Sequence, residues 1–143
     1  MVGQSVLREC LLDPQISNVV SIGRSTTHQS APKFREHVLK DITDLSALTD
    51  EISRIDACFF CLGVSSVGMS EEKYHAITYD LTMHIATTLV KIQPQMTFVY
   101  VTGASTDSTE QGSSMWARVK GKTENALLKL PFKSAYMFRP GAI

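Results

Sequence analysis

The sequence lacks an excess of charge of either sign and lacks any long apolar run. Its 143 residues include 14 Lys and Arg against 14 Asp and Glu, so the formal net charge is zero. A balanced chain without a basic run gives no electrostatic support for binding nucleic acid or an anionic membrane. No apolar stretch approaches the roughly 20 residues that span a bilayer, and the N-terminus lacks a basic region followed by an apolar one. We therefore expect no nucleic-acid or membrane partner, and a cytoplasmic protein.

Cysteine and histidine are also scarce, with three Cys and four His in the chain. Cys58 and Cys61 have a spacing found in metal and redox motifs, but they lie in the run 56–63, which is typical of a buried strand. Residues three apart on a strand point to opposite faces, so these two thiols would not bind one ion together. The histidines have no metal-ligand spacing. The sequence thus predicts no disulfide framework and no metal site.

The chain does contain an alternation of strand-like apolar runs and amphipathic helix-like segments. The longest predicted helix runs from about Glu71 to Gln93, where Pro94 ends it. The other predicted helices are 3–12, 45–54 and about 114–130, and the predicted strands are 18–23, 37–40, 56–63, 97–102 and 134–138. Strands without polar alternation, each followed by a helix or crossover, indicate a parallel sheet covered on both faces. We expect one α/β domain over residues 1–143.

The most informative segment is a polar loop followed by a helix. The loop Thr102-Gly-Ala-Ser-Thr-Asp-Ser108 follows a predicted strand, and Ser113 or Ser114 can cap the helix after it. Trp116 and Lys120 are four residues apart, so one face of that helix would present both side chains to a ligand. From spacing alone, Trp116 can equally be a packing anchor and Lys120 a surface lysine.

This order of strand, Ser/Thr-rich loop and Trp116-Ala-Arg-Val-Lys120 resembles the active-site segment of the short-chain dehydrogenase/reductase superfamily. The match is best to its extended or atypical branch, the NAD(P)-binding epimerase/dehydratase-like proteins, which often have an Arg-Pro-Gly like residues 139–141. The resemblance implies a Rossmann-type doubly wound parallel sheet. In that family the helix has Tyr-x-x-x-Lys, and Trp116 occupies the tyrosine position here. An indole N–H donates a hydrogen bond but does not ionise usefully, so the family's general acid/base is absent.

The resemblance also implies a set of residues that bind a dinucleotide. Arg24 matches a position that can pair with a 2′-phosphate, which favours NADP, although NAD and a plain surface arginine both remain open. The expected cofactor-binding residues are Gly3, Arg24, Asp41, Ile42, Leu62, Gly63, Val64 and Lys120. Lys120 would donate to the hydroxyls of the nicotinamide ribose. The simpler interpretations are a turn glycine for Gly63 and a loop or cap residue for Asp41.

Three residues form the expected catalytic set. Ser105 is the best match to the family's catalytic serine, with Thr102 and Thr106 as neighbours that alignment by eye does not exclude. Lys120 and Trp116, at the tyrosine position, complete the set. Asp80 on the long helix would either face this site or be an exposed helical acid.

The resemblance implies a domain truncated at both ends. The family's first strand and most of its glycine-rich turn have no counterpart before Gly3, and the family continues beyond its Arg-Pro-Gly. The missing strand would lie in the middle of the sheet. Its neighbours, 18–23 and 56–62, would either pair directly or keep open edges that could pair with another chain in a homo-oligomer.

Two functions from different classes follow. The first is an NAD(P)-binding oxidoreductase or epimerase-like enzyme that prefers NADP and acts on a small molecule that the sequence does not identify. The isolated chain is expected to be inactive. The alternative is a non-catalytic dinucleotide-binding or redox-sensor protein, and Trp116 favours it because the usual proton donor is lost.

Overall fold

The computed structural model describes residues 2–141, which form five α-helices and five strands. In chain order these are α1 (Val2–Leu12), β1 (Val19–Gly23), β2 (Phe34–Val38), a 3-10 turn (Ser46–Leu48), α2 (Thr49–Ile52), β3 (Ala57–Phe60), α3 (Glu71–His75), a π-helical segment (Ala76–Asp80), α4 (Leu81–Ile92), β4 (Thr97–Val101), α5 (Met115–Leu128) and β5 (Ser134–Phe138). Every strand pair is parallel, which confirms the predicted α/β class.

The residues from Leu48 onward form a compact unit around a three-stranded sheet of order β3-β4-β5. Phe60, Tyr100 and Met137 lie in register across it. Tyr100 and Phe98 are completely buried on β4, and their rings lie 5.8 Å from the ring of Phe60. Aromatic side chains bury large apolar areas, so this cluster supplies much of the hydrophobic stabilisation of the unit.

The residues up to Ala47 form a second unit, in which β1 and β2 make a two-stranded parallel sheet. The register runs from Val19 opposite Phe34 to Gly23 opposite Val38. Lys33 ties the chain before β1 to this unit, because its Nζ donates to the carbonyl oxygens of Asp13 and Ile16 at 2.7 and 2.8 Å. The expectation of a single domain over residues 1–143 stays a prediction.

Several element boundaries differ from those expected. β2 begins at Phe34, three residues before the predicted start, and includes the charged residues Arg35 and Glu36. The long helix contains a π-helical turn at Ala76–Asp80 that its apolar periodicity does not reveal. Ser114 is the N-cap of α5, but its side chain makes no capping hydrogen bond.

The strand pairing within each unit bears on the predicted strand edges, whose pairing with another chain stays a prediction. Within residues 2–141, β1 has β2 as its strand partner and β3 has β4. Each of these two strands therefore has a strand partner on one side only among the described residues. Unpaired backbone groups on such an edge are available to another strand.

Three further expectations can be compared with the structure. None of the described helices is long and apolar enough to cross a bilayer. The three cysteines form no disulfide. Across the described part of the chain, no cluster of three or more His, Cys, Asp and Glu side chains is placed to bind a metal ion.

Candidate functional site

The candidate site lies where β3 and β4 end, because parallel strands bring their carboxyl ends to the same edge of a sheet. The segment 61–64 follows β3, and the loop 102–114 leads from β4 to α5. Open parallel sheets bind their ligands outside these carboxyl ends. Residues far apart in the sequence meet at this edge.

Lys120 is the charged residue that the fold brings to this edge. Its Nζ donates to the Oη of Tyr100 at 3.2 Å and lies 5.0 Å from the centre of that ring. Gly63 is beside it, since a Cβ added to Gly63 would lie 4.0 Å from Nζ. Burial lowers the pKa of Lys120, and the negative charge of Glu124 partly opposes this shift. The structure thus places two of the predicted cofactor-binding residues, Gly63 and Lys120, next to each other.

Tyr100 does not replace the missing proton donor, although its hydroxyl contacts Lys120. The side chain is completely buried, so no substrate atom can reach it. Burial also raises the pKa of Tyr100 far above its ordinary value, so the hydroxyl stays protonated. Its effect is to hold Lys120 in place.

Trp116 packs on the loop after β4. A Cβ added to Gly103 would lie 3.5 and 3.7 Å from two carbons of the indole six-membered ring. The indole is therefore close to the backbone of the loop, and it remains half-buried. Its N–H can donate a hydrogen bond but cannot exchange a proton as a phenol would.

A buried carboxylate fastens the ends of β4 and β5 to α5. Glu124 on α5 is 2% exposed, and its Oε1 accepts hydrogen bonds from Thr102 Oγ1 at 2.6 Å and Arg139 Nε at 3.1 Å. Arg139 also donates to the other carboxylate oxygen at 2.5 Å and to Ser108 Oγ at 2.6 Å. Because the hydroxyl of Thr102 is held by Glu124, this network positions the loop and leaves Thr102 no free group for catalysis.

The remaining serine and threonine candidates differ in exposure. Ser105 is exposed in a turn closed by a hydrogen bond from the Thr106 amide to the Gly103 carbonyl at 3.0 Å. Thr106 is 7% exposed, and its Oγ1 has no hydrogen-bond partner. Ser105 can therefore meet a ligand from solvent, whereas Thr106 faces the interior. No hydrogen bond joins Ser105 to Trp116 or Lys120 among the described residues.

The other predicted site residues of this unit are more dispersed. Leu62 is half-buried and Val64 is 38% exposed, next to Gly63. Asp80 has a 61% exposed side chain, and its Oδ1 lies 3.7 Å from Nδ1 of His75. The exposed position of Asp80 agrees with its interpretation as an exposed helical acid.

In the unit up to Ala47, Arg24 is exposed directly after β1 and forms no hydrogen bond or ion pair within residues 2–141. Gly3 lies in the first turn of α1. Asp41 Oδ1 accepts from the amide of Thr43 at 3.0 Å, as a turn residue does, and Ile42 is 8% exposed. Ile42 therefore has little surface left for contact with a ligand.

A crystal structure provides the decisive comparison for the fold. A short-chain dehydrogenase family protein from Francisella tularensis superposes with a TM-score of 0.61 over 85% of this chain and 55% of its own, at 16% sequence identity. The chain therefore shares the fold of this protein over the part that superposes. The predicted Rossmann-type parallel sheet is thereby confirmed.

Two fungal proteins are related in sequence to the chain. Protein fmp52-1, mitochondrial, of Aspergillus terreus is 25% identical over 152 residues, and protein fmp52, mitochondrial, of Emericella nidulans is 27% identical over 150. Each alignment covers the whole chain but only 62% and 63% of the respective relative, so the chain spans less than two thirds of their length. No family model matches the chain. Both relatives are named as mitochondrial proteins, which contradicts the expectation of a cytoplasmic protein.

Sequence reasoning did not identify three residues that make hydrogen bonds in the structure: Tyr100, Glu124 and Glu36. Tyr100 lies in an apolar run and gives no sign that its hydroxyl meets Lys120. Glu124 does give a signal, because it is four residues from Lys120 and so shares its helix face. Glu36 lies before the predicted strand 37–40, and its carboxylate accepts three hydrogen bonds from Thr26 and Thr27.

Proposed function

We propose that the chain is an NAD(P)-binding oxidoreductase or epimerase-like protein of the short-chain dehydrogenase type that prefers NADP. One observation supports this most strongly: Lys120 Nζ lies beside Gly63 at the carboxyl ends of two parallel strands. A glycine there lets a ligand approach the backbone closely, and an amine donates to hydroxyl groups. The residues present therefore fit a dinucleotide, which when bound supplies hydride transfer.

Each side chain in the site has a proposed task. Lys120 donates to ribose hydroxyls and is held for this by Tyr100. Ser105, exposed in its turn, polarises a substrate carbonyl. Trp116 covers the loop backbone at Gly103 and excludes water from that side. None of these groups is a phenol that can exchange a proton with substrate.

The preference for NADP rests on Arg24. Its guanidinium is exposed and has no partner among the described residues, so no ion pair has to break before it binds a phosphate. The loop after it is fixed by Glu36, whose carboxylate oxygens accept from Thr26 and Thr27 at 2.6 to 2.8 Å. Since Glu36 is occupied by these donors, it does not compete for Arg24.

Dinucleotide binding is tested by titration with NADPH and NADH. Trp116 is the single tryptophan, so energy transfer from its indole to the reduced nicotinamide reports binding. Lys120→Met should weaken both nucleotides by roughly 10- to 150-fold, as expected for one charge-assisted contact of about 1.5–3 kcal/mol. The matched control is Lys122→Met, because Lys122 contacts His75 and Tyr79 instead and should leave the affinity unchanged.

Cofactor choice is tested in the same assay with Arg24→Ala. This change should weaken NADPH and leave NADH unchanged, because only NADPH has the 2′-phosphate. Arg54→Ala is the control, since Arg54 is also exposed but lies in the turn after α2. Equal affinity for the two nucleotides in the unaltered protein would refute the NADP preference, and the absence of binding to either would refute the dinucleotide proposal.

A second candidate function, a non-catalytic dinucleotide-binding protein or redox sensor, is favoured by Trp116. The unaltered protein should then bind nucleotide without reducing carbonyls. Trp116→Tyr places a phenol one turn from Lys120, and general acid/base catalysis contributes about 10²–10⁴-fold, so this variant should gain carbonyl reduction. Trp116→Phe, which fills a similar space without a hydroxyl, should not. Ready turnover by the unaltered protein, lost in Ser105→Ala, would exclude the sensor function.

A further inference from the structure

The amine of Lys120 is partly buried and has no carboxylate partner among the described residues. Within residues 2–141 it forms no salt bridge, and its hydrogen bond goes to the neutral hydroxyl of Tyr100. Glu124 lies one turn along α5, but its carboxylate is held by Arg139 and Thr102. A partly buried ammonium whose nearest hydrogen-bond partner is neutral is destabilised relative to the free amine.

This geometry also affects the pKa of Lys120. Burial lowers its pKa, and the charge of Glu124 opposes the shift without cancelling it. The titratable groups that act on the amine are Tyr100 from β4 and Glu124 from α5 itself. A lysine desolvated in an apolar setting is a nucleophile toward carbonyl groups, because a larger fraction of it is unprotonated.

The surroundings of the amine select the kind of carbonyl compound. Gly63 lies beside Nζ and has no side chain, which leaves that approach open to a small molecule. Tyr100 provides an aromatic face at 5.0 Å, and Trp116 lies one turn before Lys120 on the same helix. These neighbours favour a small apolar aldehyde over a charged one.

We propose that Lys120 forms an imine with small apolar aldehydes in the absence of dinucleotide. Nζ donates its electron pair to the carbonyl carbon, the π bond of the carbonyl breaks, and the oxygen takes up a proton released by the nitrogen. The resulting carbinolamine loses its hydroxyl together with the second nitrogen proton as water, and the C=N bond forms. One amine and one aldehyde give one imine and one water, so no oxidant or reductant is needed.

The experiment uses propanal as the probe and sodium cyanoborohydride to convert the imine into a stable secondary amine. Peptide mass spectrometry then gives the labelling rate at each lysine of the unaltered protein. Lys122, two residues further along the same helix and therefore on a different face, is the internal control because its side chain is exposed and its Nζ is 3.0 Å from His75. Lys120 should be labelled at least about tenfold faster, a difference of about 1.4 kcal/mol in activation free energy.

A second measurement ties the effect to the fold. In urea the unfolded chain no longer buries Lys120, so the labelling rates of Lys120 and Lys122 should become equal. The proposal would be overturned if Lys120 were labelled no faster than Lys122 in the folded protein. It would also be overturned if the ratio of the two labelling rates were the same in urea as in the folded protein. The labelling assay contains no nucleotide, so its outcome is independent of the nucleotide titration. If Lys120 is labelled fast but the titration shows no binding of NADPH or NADH, the dinucleotide function is refuted and this inference stands.

Discussion

At Gly121 a single backbone contact determines which residue the chain can tolerate. A Cβ at this position of α5 would lie 1.7 Å from the carbonyl oxygen and 2.5 Å from the carbonyl carbon of Asp107. The loop after β4 therefore rests directly on the helix. The Asp107 amide adds to this contact by donating to the Ala117 carbonyl at 3.0 Å.

We predict that Gly121→Ala destabilises the protein despite the better helix propensity of alanine. The propensity gain is about 1 kcal/mol, whereas overpacking against backbone costs typically 1–3 kcal/mol and more where neither side can move. The measurement is the urea midpoint of unfolding. Gly141→Ala is the control, because a Cβ there meets nothing within 4 Å. A Gly121→Ala protein as stable as the unaltered one would show that the loop can move off the helix.

At the scale of the element, the loop that follows β1 depends on one acidic side chain of β2. Glu36 accepts hydrogen bonds from the hydroxyl of Thr26 and from both the amide and the hydroxyl of Thr27. The hydrogen bond from the Thr27 hydroxyl has the largest effect on this carboxyl. Together with the other two hydrogen bonds it holds the pKa of Glu36 below its ordinary value of 4.5. A lowered carboxyl pKa means that the ionised form is the one that stabilises the fold.

We predict that Glu36→Gln increases hydrogen exchange at the amides of Thr27 and His28, because an amide side chain offers one acceptor oxygen instead of two. In the unaltered protein the protection should be present above pH 4.5 and be lost as the pH falls through the lowered pKa of Glu36. Glu72→Gln, an exposed acid in the first turn of α3, is the control. Unchanged exchange in Glu36→Gln would show that the loop is fixed by other contacts.

The elements also show what the sequence could and could not predict. β5 was predicted with its observed bounds, Ser134–Phe138. β2 was misplaced because pairing with β1, and not the local sequence around Arg35 and Glu36, determines where the strand begins. Strand pairing is a non-local interaction, so local propensity does not capture it.

The same distinction between local patterns and non-local contacts applies to the candidate site. Helical spacing was enough to place Trp116 and Lys120 on one face of α5. It could not show that Lys120 meets Gly63 and Tyr100, because those contacts join segments that are far apart in the chain. The commitment of Thr102 to Glu124 is likewise tertiary, and it removes a catalytic candidate that the sequence left open.

For the whole molecule, the open edge of β3 has the clearest physical consequence. Within the described residues β3 pairs only with β4, and its four residues, Ala57 to Phe60, include no charge and no proline. Natural edge strands are usually protected by such residues, because an unprotected edge pairs with other chains. Phe59 is 44% exposed on this strand, which adds an apolar surface to the open backbone.

We therefore predict that the protein self-associates through β3, and that Phe59→Lys reduces this association. A lysine on an edge strand has to lose hydration when a second strand approaches, and two copies repel each other. The measurement is sedimentation equilibrium over a range of protein concentrations, with circular dichroism to confirm folding. Val67→Lys is the control, since Val67 is 88% exposed in the loop after β3 and outside the strand. A protein that stays monomeric at all concentrations, or equal effects of the two substitutions, would mean that the β3 edge is not the contact.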